Sequence, residues 1–67
     1  MEFKCRDEFI KLGQLLKAVD LVESGAEAKE VIQGGLVSVN GEIDLRRGRK
    51  IVPGDEVEYQ GKRVYVK

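Results

Sequence analysis

The most chemically distinctive segment of the sequence is a short basic run. Arg46, Arg47, Arg49 and Lys50 lie within five residues with no acidic residue among them. A guanidinium group is planar and can donate to two phosphate oxygens at once, which suits arginine to phosphate binding. Gly48 lies inside the run and would let the backbone approach a ligand closely. The run predicts a phosphate-binding loop, and a solvated turn that only aids solubility is an equally good interpretation of the run alone.

The charge pattern of the whole chain indicates one basic pole on a neutral protein. The 67 residues include 12 Lys and Arg and 12 Asp and Glu, which gives a formal net charge of zero. The acidic residues concentrate in two other segments, 20–30 and 55–58. A charged ligand responds to the local field more than to the total charge. The zero total therefore argues against a broadly basic nucleic-acid binder but leaves a local basic site open.

The sequence has few residues that could carry catalysis. Histidine is absent and Cys5 is the only cysteine, so an ordinary Ser–His or Cys–His nucleophile pair cannot form. The same shortage argues against a metal site. Gly34-Gly35 follows a predicted helix, which is the wrong end of the helix dipole for a phosphate. We predict a protein that is not an enzyme and has no cofactor or metal, with Cys5 as a small buried hydrophobic residue rather than a reactive thiol.

The length and composition predict one compact domain, 1–67. No internal repeat, linker or low-complexity tract divides the chain. No apolar run approaches the roughly 20 residues of a membrane span, and the charged N-terminal residues do not resemble a signal peptide. With no possible intramolecular disulfide, the sequence predicts a cytoplasmic protein without membrane contact. No obvious dimer interface is present, so a monomer is expected.

Two helices are expected to precede most of the strands. Apolar residues at helical spacing predict a first helix at about 11–20. The second helix, at about 25–33, would begin with a capping box in which Ser24 accepts from the Glu27 amide and the Glu27 carboxylate bonds back to the Ser24 amide. Gly34-Gly35 supplies a left-handed helix end that other residues resist. Phe9 and the leucines are expected in the core.

After the helices the apolar residues follow a period of two, which is typical of strands. Asn40-Gly41 is a strong signal for a two-residue hairpin turn. The basic run is expected to be a loop. The order of elements predicts an α+β fold in which two short helices pack on a small antiparallel sheet. The predicted strands are 2–5, 36–39, 42–45, 56–59 and 62–67.

Several spaced motifs in this order resemble a known family. The motifs are LGQLLK (12–17), SGAEAK (24–29), VSVNG (37–41), RRGRKI (46–51) and PGDEV (53–57). Together they resemble the αL-type RNA-binding domain named after small-subunit ribosomal protein S4. Within that family the chain is most similar to the small stand-alone YaaA/YbcJ-type proteins of bacteria. The resemblance implies binding of structured RNA, commonly ribosomal RNA or tRNA, through the face made by the two helices and the hairpin.

The resemblance also implies which residues would line that face. Gly13 and Gly25 occupy positions where the family often has an acid and an arginine, so the basic run is expected to contribute more of the affinity. Ser24 and Asn40 have structural interpretations as a helix cap and a turn residue. Tyr59 and Tyr65 are expected to pack across neighbouring strands rather than stack on bases. The predicted RNA-binding residues are Lys11, Lys17, Ser24, Lys29, Asn40, Arg46, Arg47, Arg49 and Lys50.

Three functional hypotheses follow from the sequence. The first is a non-catalytic protein that recognises structured RNA by phosphate and shape, with a role in ribosome assembly or translation and with the ribosome or its precursor particles as partners. The alternative is a protein-interaction adaptor that docks an acidic partner on the basic loop, because arginine binds carboxylate and phosphate alike. The third is an accessory subunit of an RNA-modifying enzyme.

Overall fold

The computed structural model describes all residues from 1 to 67 and contains two helices and seven strands. The α+β class predicted from the sequence is confirmed. Neither helix is long and apolar enough to cross a membrane. The elements are β1 (Glu2–Phe3), β2 (Ile10–Lys11), α1 (Leu12–Ala18), α2 (Gly25–Gln33), β3 (Val37–Val39), β4 (Glu42–Ile43), β5 (Lys50–Ile51), β6 (Glu56–Tyr59) and β7 (Lys62–Val66).

The main sheet has five strands in the order β1-β7-β6-β3-β4. Strands β3, β4, β6 and β7 pair antiparallel with their neighbours in the sheet. Tight turns at Asn40-Gly41 and Gln60-Gly61 join β3 to β4 and β6 to β7, where the sequence predicts them. Strand β1 pairs parallel with β7, with Glu2 opposite Tyr65. The sheet is therefore mixed rather than wholly antiparallel. No hairpin turn joins β1 to β7, so nothing local fixes their relative direction.

A second, two-stranded sheet was not expected from the sequence. Strands β2 and β5 pair antiparallel, with Ile10 opposite Ile51 and Lys11 opposite Lys50. The prediction that Lys11 lies in the first helix is therefore wrong, because Lys11 is the residue that caps α1. The prediction that the whole basic run is a loop is wrong at Lys50. A ladder of two residues has no readable periodicity.

The two helices differ in how well their sequences define them. Helix α1 ends at Ala18 rather than near 20, and Asp20 has a φ of 60°. Helix α2 has the predicted bounds, and Ser24 Oγ accepts from the Glu27 amide at 3.1 Å. The carboxylate of Glu27 accepts from the amide of Glu23 at 2.7 Å instead of the Ser24 amide. The left-handed residue after α2 is Gly35, with a φ of 77°.

The hydrophobic core lies between the helices and one face of the main sheet. The prediction that all leucines are core residues is wrong for Leu36 and Leu45, which are 60% and 56% exposed. Both lie beside the short edge strand β4, where no further strand covers them. Phe9 is half-buried. The core residues are Leu12, Leu15, Leu16, Val22, Ala28, Val31, Ile32, Val37, Val39, Ile51, Val57, Tyr59, Val64 and Val66.

The two tyrosines lie on opposite faces of the sheet. Tyr59 is 5% exposed and belongs to the core, whereas Tyr65 is 43% exposed. In the pairing of β6 with β7, Tyr59 lies opposite Lys62 and Tyr65 lies opposite Glu56. The expected packing between the two rings is therefore wrong, because alternate residues of a strand point to opposite faces. Burial also removes Tyr59 as a platform for base stacking.

Candidate nucleic-acid interface

A buried carboxylate organises the basic run that follows it. Asp44 is 6% exposed. Its Oδ1 accepts from the backbone N–H of Arg46 at 2.9 Å and from Arg46 Nε at 3.1 Å. Its Oδ2 accepts from Arg46 Nη2 at 2.9 Å and from Arg49 Nη1 at 2.7 Å. We call this group of Asp44, Arg46 and Arg49 the Asp44 clamp.

In the Asp44 clamp, the carboxylate holds two arginine side chains in place and neutralises part of their positive charge. Hydrogen bonds from Arg46, followed by those from Arg49, hold the pKa of the Asp44 carboxyl well below its usual range despite the opposing effect of burial. The same bond raises the pKa of the Arg46 guanidinium. The Arg46 side chain is still 71% exposed, so its remaining N–H donors can reach a ligand. The clamp therefore presents a net single positive charge in a fixed position.

Main-chain hydrogen bonds attach the basic run to the first turn of α1. The amide of Leu12 donates to the Arg49 carbonyl at 2.9 Å, and the amide of Gly13 donates to the Arg47 carbonyl at 3.0 Å. The first amides of a helix have no partner inside the helix, and these two obtain partners from the run. At its far end, the Lys50 ammonium lies 4.8 Å from the centre of the Phe9 ring. Residues 46–49 of the run therefore form a loop that backbone hydrogen bonds attach to α1.

The side chain of Arg47 lies across α1 at Gly13. A Cβ atom added to Gly13 would be 2.7 Å from Arg47 Cγ, a distance that real Cβ atoms do not show. The absence of a side chain at this position lets Arg47 lie against the helix. Unlike the two clamp arginines, Arg47 forms no ion pair.

A polar cleft lies between this part of α1, the start of α2 and the basic run. It has a volume of about 310 Å³ and no hydrophobic lining residue. Three of its residues are cations, none is acidic, and none of the three cations forms an ion pair. We call it the cationic cleft. Its lining residues are Lys11, Gly13, Gln14, Lys17, Gly25, Arg47 and Gly48.

The structure brings most of the predicted RNA-binding residues to one side of the molecule. Lys11, Lys17 and Arg47 line the cationic cleft, and the clamp arginines lie in the same short loop. Ser24 caps α2 immediately before Gly25, a cleft residue. Lys50 does not line the cleft but lies opposite Lys11 in the pairing of β2 with β5.

The other two predicted residues lie outside this group. Lys29 is exposed on α2 and does not line the cleft. Asn40 has a φ of 52° in its turn. Its amide nitrogen donates to Asp55 Oδ1 at 3.0 Å, and its amide oxygen accepts from the Glu56 backbone at 2.9 Å. Both polar atoms of the Asn40 side chain are therefore engaged in hydrogen bonds within the chain, beside an acidic segment.

Sequence reasoning missed Asp44 and Gln14. Asp44 alternates with Ile43 and Leu45, which made it resemble the outward-facing polar residue of a strand. Its position two residues before a run of arginines was the available signal for an internal ion pair. Gln14 carries no charge, and only its place in the cleft marks it.

Comparisons with known proteins identify the family of the chain. Residues 3–67 match the S4 domain. The chain belongs to the S4 domain family. RlbA of Bacillus subtilis, a probable ribosome maturation protein, is 50% identical over 54 residues, which cover 81% of this chain and 76% of RlbA. YbcJ of Escherichia coli is 42% identical over 57 residues, which cover 85% of this chain and 81% of YbcJ.

A solved structure confirms the fold. The solution structure of E. coli YbcJ, which reveals an αL motif involved in RNA binding, matches with a TM-score of 0.74 and 38% sequence identity. The match covers 97% of this chain and 84% of the YbcJ chain. The resemblance to the S4-type domain and to YbcJ, first indicated by the spaced motifs, is therefore confirmed.

Proposed function

We propose that this chain is a non-catalytic RNA-binding protein that recognises structured RNA through the cationic cleft and the Asp44 clamp. Residues 1–67 act as one RNA-binding domain. The observation that carries the proposal is the meeting of three unpaired cations, Lys11, Lys17 and Arg47, around one cleft with no acidic lining residue. Membership of the S4 domain family and the similarity to YbcJ support it.

The mode of recognition is contact with phosphate and backbone shape. Double-helical RNA has a deep, narrow major groove that side chains cannot read, so a small protein contacts its phosphates and 2′-hydroxyls. Three unpaired cations would neutralise about three phosphates and release their counterions. The logarithm of affinity should then fall by about 0.7 to 0.9 per phosphate for each unit of log salt, or about 2 to 3 in total.

Ribosomal RNA is the proposed partner, within the ribosome or its precursor particles. This choice rests on the similarity to RlbA, a probable ribosome maturation protein. The protein would act in the cytoplasm as a monomer. Sedimentation of a cell extract through a sucrose gradient tests the choice, because a protein of 7.5 kDa stays at the top unless a particle carries it. Detection only at the top of the gradient would contradict a ribosomal partner.

A gel-shift titration against ribosomal RNA and tRNA, at low and moderate salt, tests RNA binding itself. Reversing the three cleft charges together (K11E/K17E/R47E) should abolish binding, and this set leaves the Asp44 clamp intact. The control K4E/R6E/K62E makes the same change of net charge at three exposed cations outside the cleft and without ion pairs. The control should lose much less affinity, and equal losses would mean that only total charge matters.

The adaptor hypothesis remains as an outcome of a second experiment. An acidic protein would bind the same cations, because a carboxylate and a phosphate present similar oxygens to arginine. Purification of the protein from cells with and without ribonuclease separates the two partners. Loss of associated material after ribonuclease treatment supports RNA binding, and associated protein that resists the treatment favours the adaptor or an enzyme partner.

A further inference from the structure

We propose that the cationic cleft is a subsite for one unpaired ribonucleotide of the bound RNA, and this inference rests on the proposed RNA-binding function. The cleft is a concavity of about 310 Å³, at the lower end of the roughly 300–1,000 Å³ of small-ligand sites. A regular duplex is convex and needs no such concavity. A nucleotide that leaves the stack in a bulge or loop can enter one, and single-stranded bulges are common targets of RNA-binding proteins.

Two glycines line the cleft and have open space beside their backbone. A Cβ atom added to Gly25 or to Gly48 would meet no heavy atom within 4 Å. Neither glycine has a positive φ, so side chains are compatible with the backbone at both positions. The space beside them is therefore not needed for packing of the protein. It is available to a ligand, and a larger residue at either position would occupy it.

The polar groups of the cleft fit the parts of one nucleotide. Lys11, Lys17 and Arg47 carry the charge that a phosphate requires, and the guanidinium plane of Arg47 can also stack on a base. Gln14 is the one uncharged polar side chain in the lining. Its Oε1 accepts weakly from the Lys11 amide at 3.4 Å, while its side-chain nitrogen makes no hydrogen bond.

The free nitrogen of Gln14 gives the cleft a way to recognise ribose. An amide N–H can donate a hydrogen bond to a 2′-hydroxyl or to a base edge. A positive charge alone recognises neither of these groups. The 2′-hydroxyl is the group by which proteins distinguish RNA from DNA at a given site. Gln14 therefore contacts the 2′-hydroxyl, and the three cations contact the phosphate.

The occupant belongs to a polymer rather than to a free nucleotide. The Asp44 clamp lies in the same loop as Arg47 and Gly48, and Arg46 keeps exposed donors for neighbouring phosphates. Adenosine 5′-monophosphate should therefore fail to displace RNA at micromolar concentration. Displacement at that concentration would assign the cleft to a free nucleotide and overturn the proposal.

The direct test uses two RNA hairpins that differ only by one unpaired nucleotide in the stem. Fluorescence anisotropy at fixed salt should show that the wild-type protein binds the bulged hairpin about tenfold more tightly. A 2′-deoxy substitution at the bulged nucleotide should reduce this preference severalfold. In Q14M the deoxy substitution should have no effect. Equal binding of the two hairpins by the wild-type protein would overturn the subsite.

Filling the cleft gives the second test. The variant G25L should bind the two hairpins equally, and G48L should do the same through an independent position. The control A26L places the same side chain one residue further along, at an exposed residue outside the lining, and should keep the preference. A preference that persists in both G25L and G48L would overturn the proposal. If the folded wild-type protein binds neither hairpin, the RNA-binding function itself fails, which is distinct from failure of the subsite alone.

Discussion

The Asp44 clamp and the cationic cleft both include residues of one short loop. The cations of the clamp are paired with an acidic residue, whereas those of the cleft are not. In the clamp, Arg46 and Arg49 bond to a carboxylate that is 6% exposed. In the cleft, Arg47 and two lysines have no acidic partner. An ion pair with a buried acid fixes the position of an arginine side chain, and the acid cancels part of the positive charge of the group. An unpaired cation keeps its full charge.

The difference predicts a division of roles between the two regions. Substitutions in the clamp should mainly change the stability of the protein, because they leave a buried polar group without its partner. Substitutions in the cleft should mainly change RNA affinity and its salt dependence, because they remove charge that nothing inside the protein neutralises. Measurements of stability and affinity on the same variants therefore test whether the two regions have these separate roles.

The largest effect is expected for removal of the clamp carboxylate. We expect D44N to lower the free energy of unfolding by about 1–2 kcal/mol, a factor of roughly 5 to 30 in the folding equilibrium. The expected loss is modest because Arg46 is exposed and solvent screens its interaction with Asp44. Urea unfolding at neutral pH measures the change. The control E42Q alters an exposed acid two residues earlier and should cost less than about 0.5 kcal/mol.

Acid titration separates the charge of Asp44 from its packing. Because the native pKa of this carboxyl is depressed, its contribution to stability is fully present above the ordinary value of about 3.9. The contribution is lost progressively as the pH falls from there through the lower native pKa. Between about pH 4 and pH 2, the wild-type protein should therefore lose more stability than D44N. Parallel curves for the two proteins would show that the carboxylate charge does not stabilise the fold.

The next largest effect on RNA binding is expected for R47A, and R49A provides the comparison. R47A should weaken RNA binding about tenfold and lower the salt slope by about 0.7 to 0.9, because it removes one unpaired cation. R49A removes a cation that Asp44 already neutralises in part, so its effect on affinity should be smaller and its effect on stability larger. A salt titration and a urea titration of both variants check the contrast. The reverse order of affinities would contradict the division of roles.

A smaller effect is expected for G13A, which changes no charge. The new methyl group would lie in the space that Arg47 Cγ occupies, so the arginine must move away from α1. We expect RNA affinity to fall about threefold, an energy well under that of a full charged hydrogen bond. The gain in helix propensity of up to about 1 kcal/mol should offset the steric cost. Unchanged affinity in a folded G13A would show that the position of Arg47 is unimportant.

The smallest effect is expected for Lys29, which the family resemblance includes but the cleft does not. K29Q should change RNA affinity by less than about twofold, and K17Q, the same substitution in the cleft, should cause a clearly larger loss with a lower salt slope. Gel-shift titrations of the two variants at two salt concentrations make the comparison. Equal losses would extend the interface along α2.

Local signals explain which parts of the fold the sequence predicts well. Ser24 and Gly35 delimit α2, and Asn40-Gly41 forms a turn with positive φ, because each of these residues has a preference that acts within a few positions. The pairing of Ile10 with Ile51 is different. It joins distant segments, each only two residues long, and neither segment carries a pattern of its own.

The candidate site also has one part that the sequence predicts and one part that it does not. The basic run is visible in the sequence because its cations are consecutive. The cleft is not, because Lys11, Gly25 and Arg47 meet only through the packing of α1, α2 and the loop. The clamp depends on two arginine side chains that bend back to Asp44, a choice of rotamers that sequence spacing does not determine.

The parallel pairing of β1 with β7 places Phe3 beside Val66, so β1 pairs with a strand that is synthesised after both helices and after strands β2 to β6. Translation must therefore pass residues 62–66 before β1 can join the main sheet. Helices α1 and α2 contain mostly local contacts and can form earlier, whereas pairing between distant segments is slow. A nascent chain held on the ribosome short of β7 would carry the α1–α2 pair with β1 still unpaired, and the sheet would close only on completion of that strand.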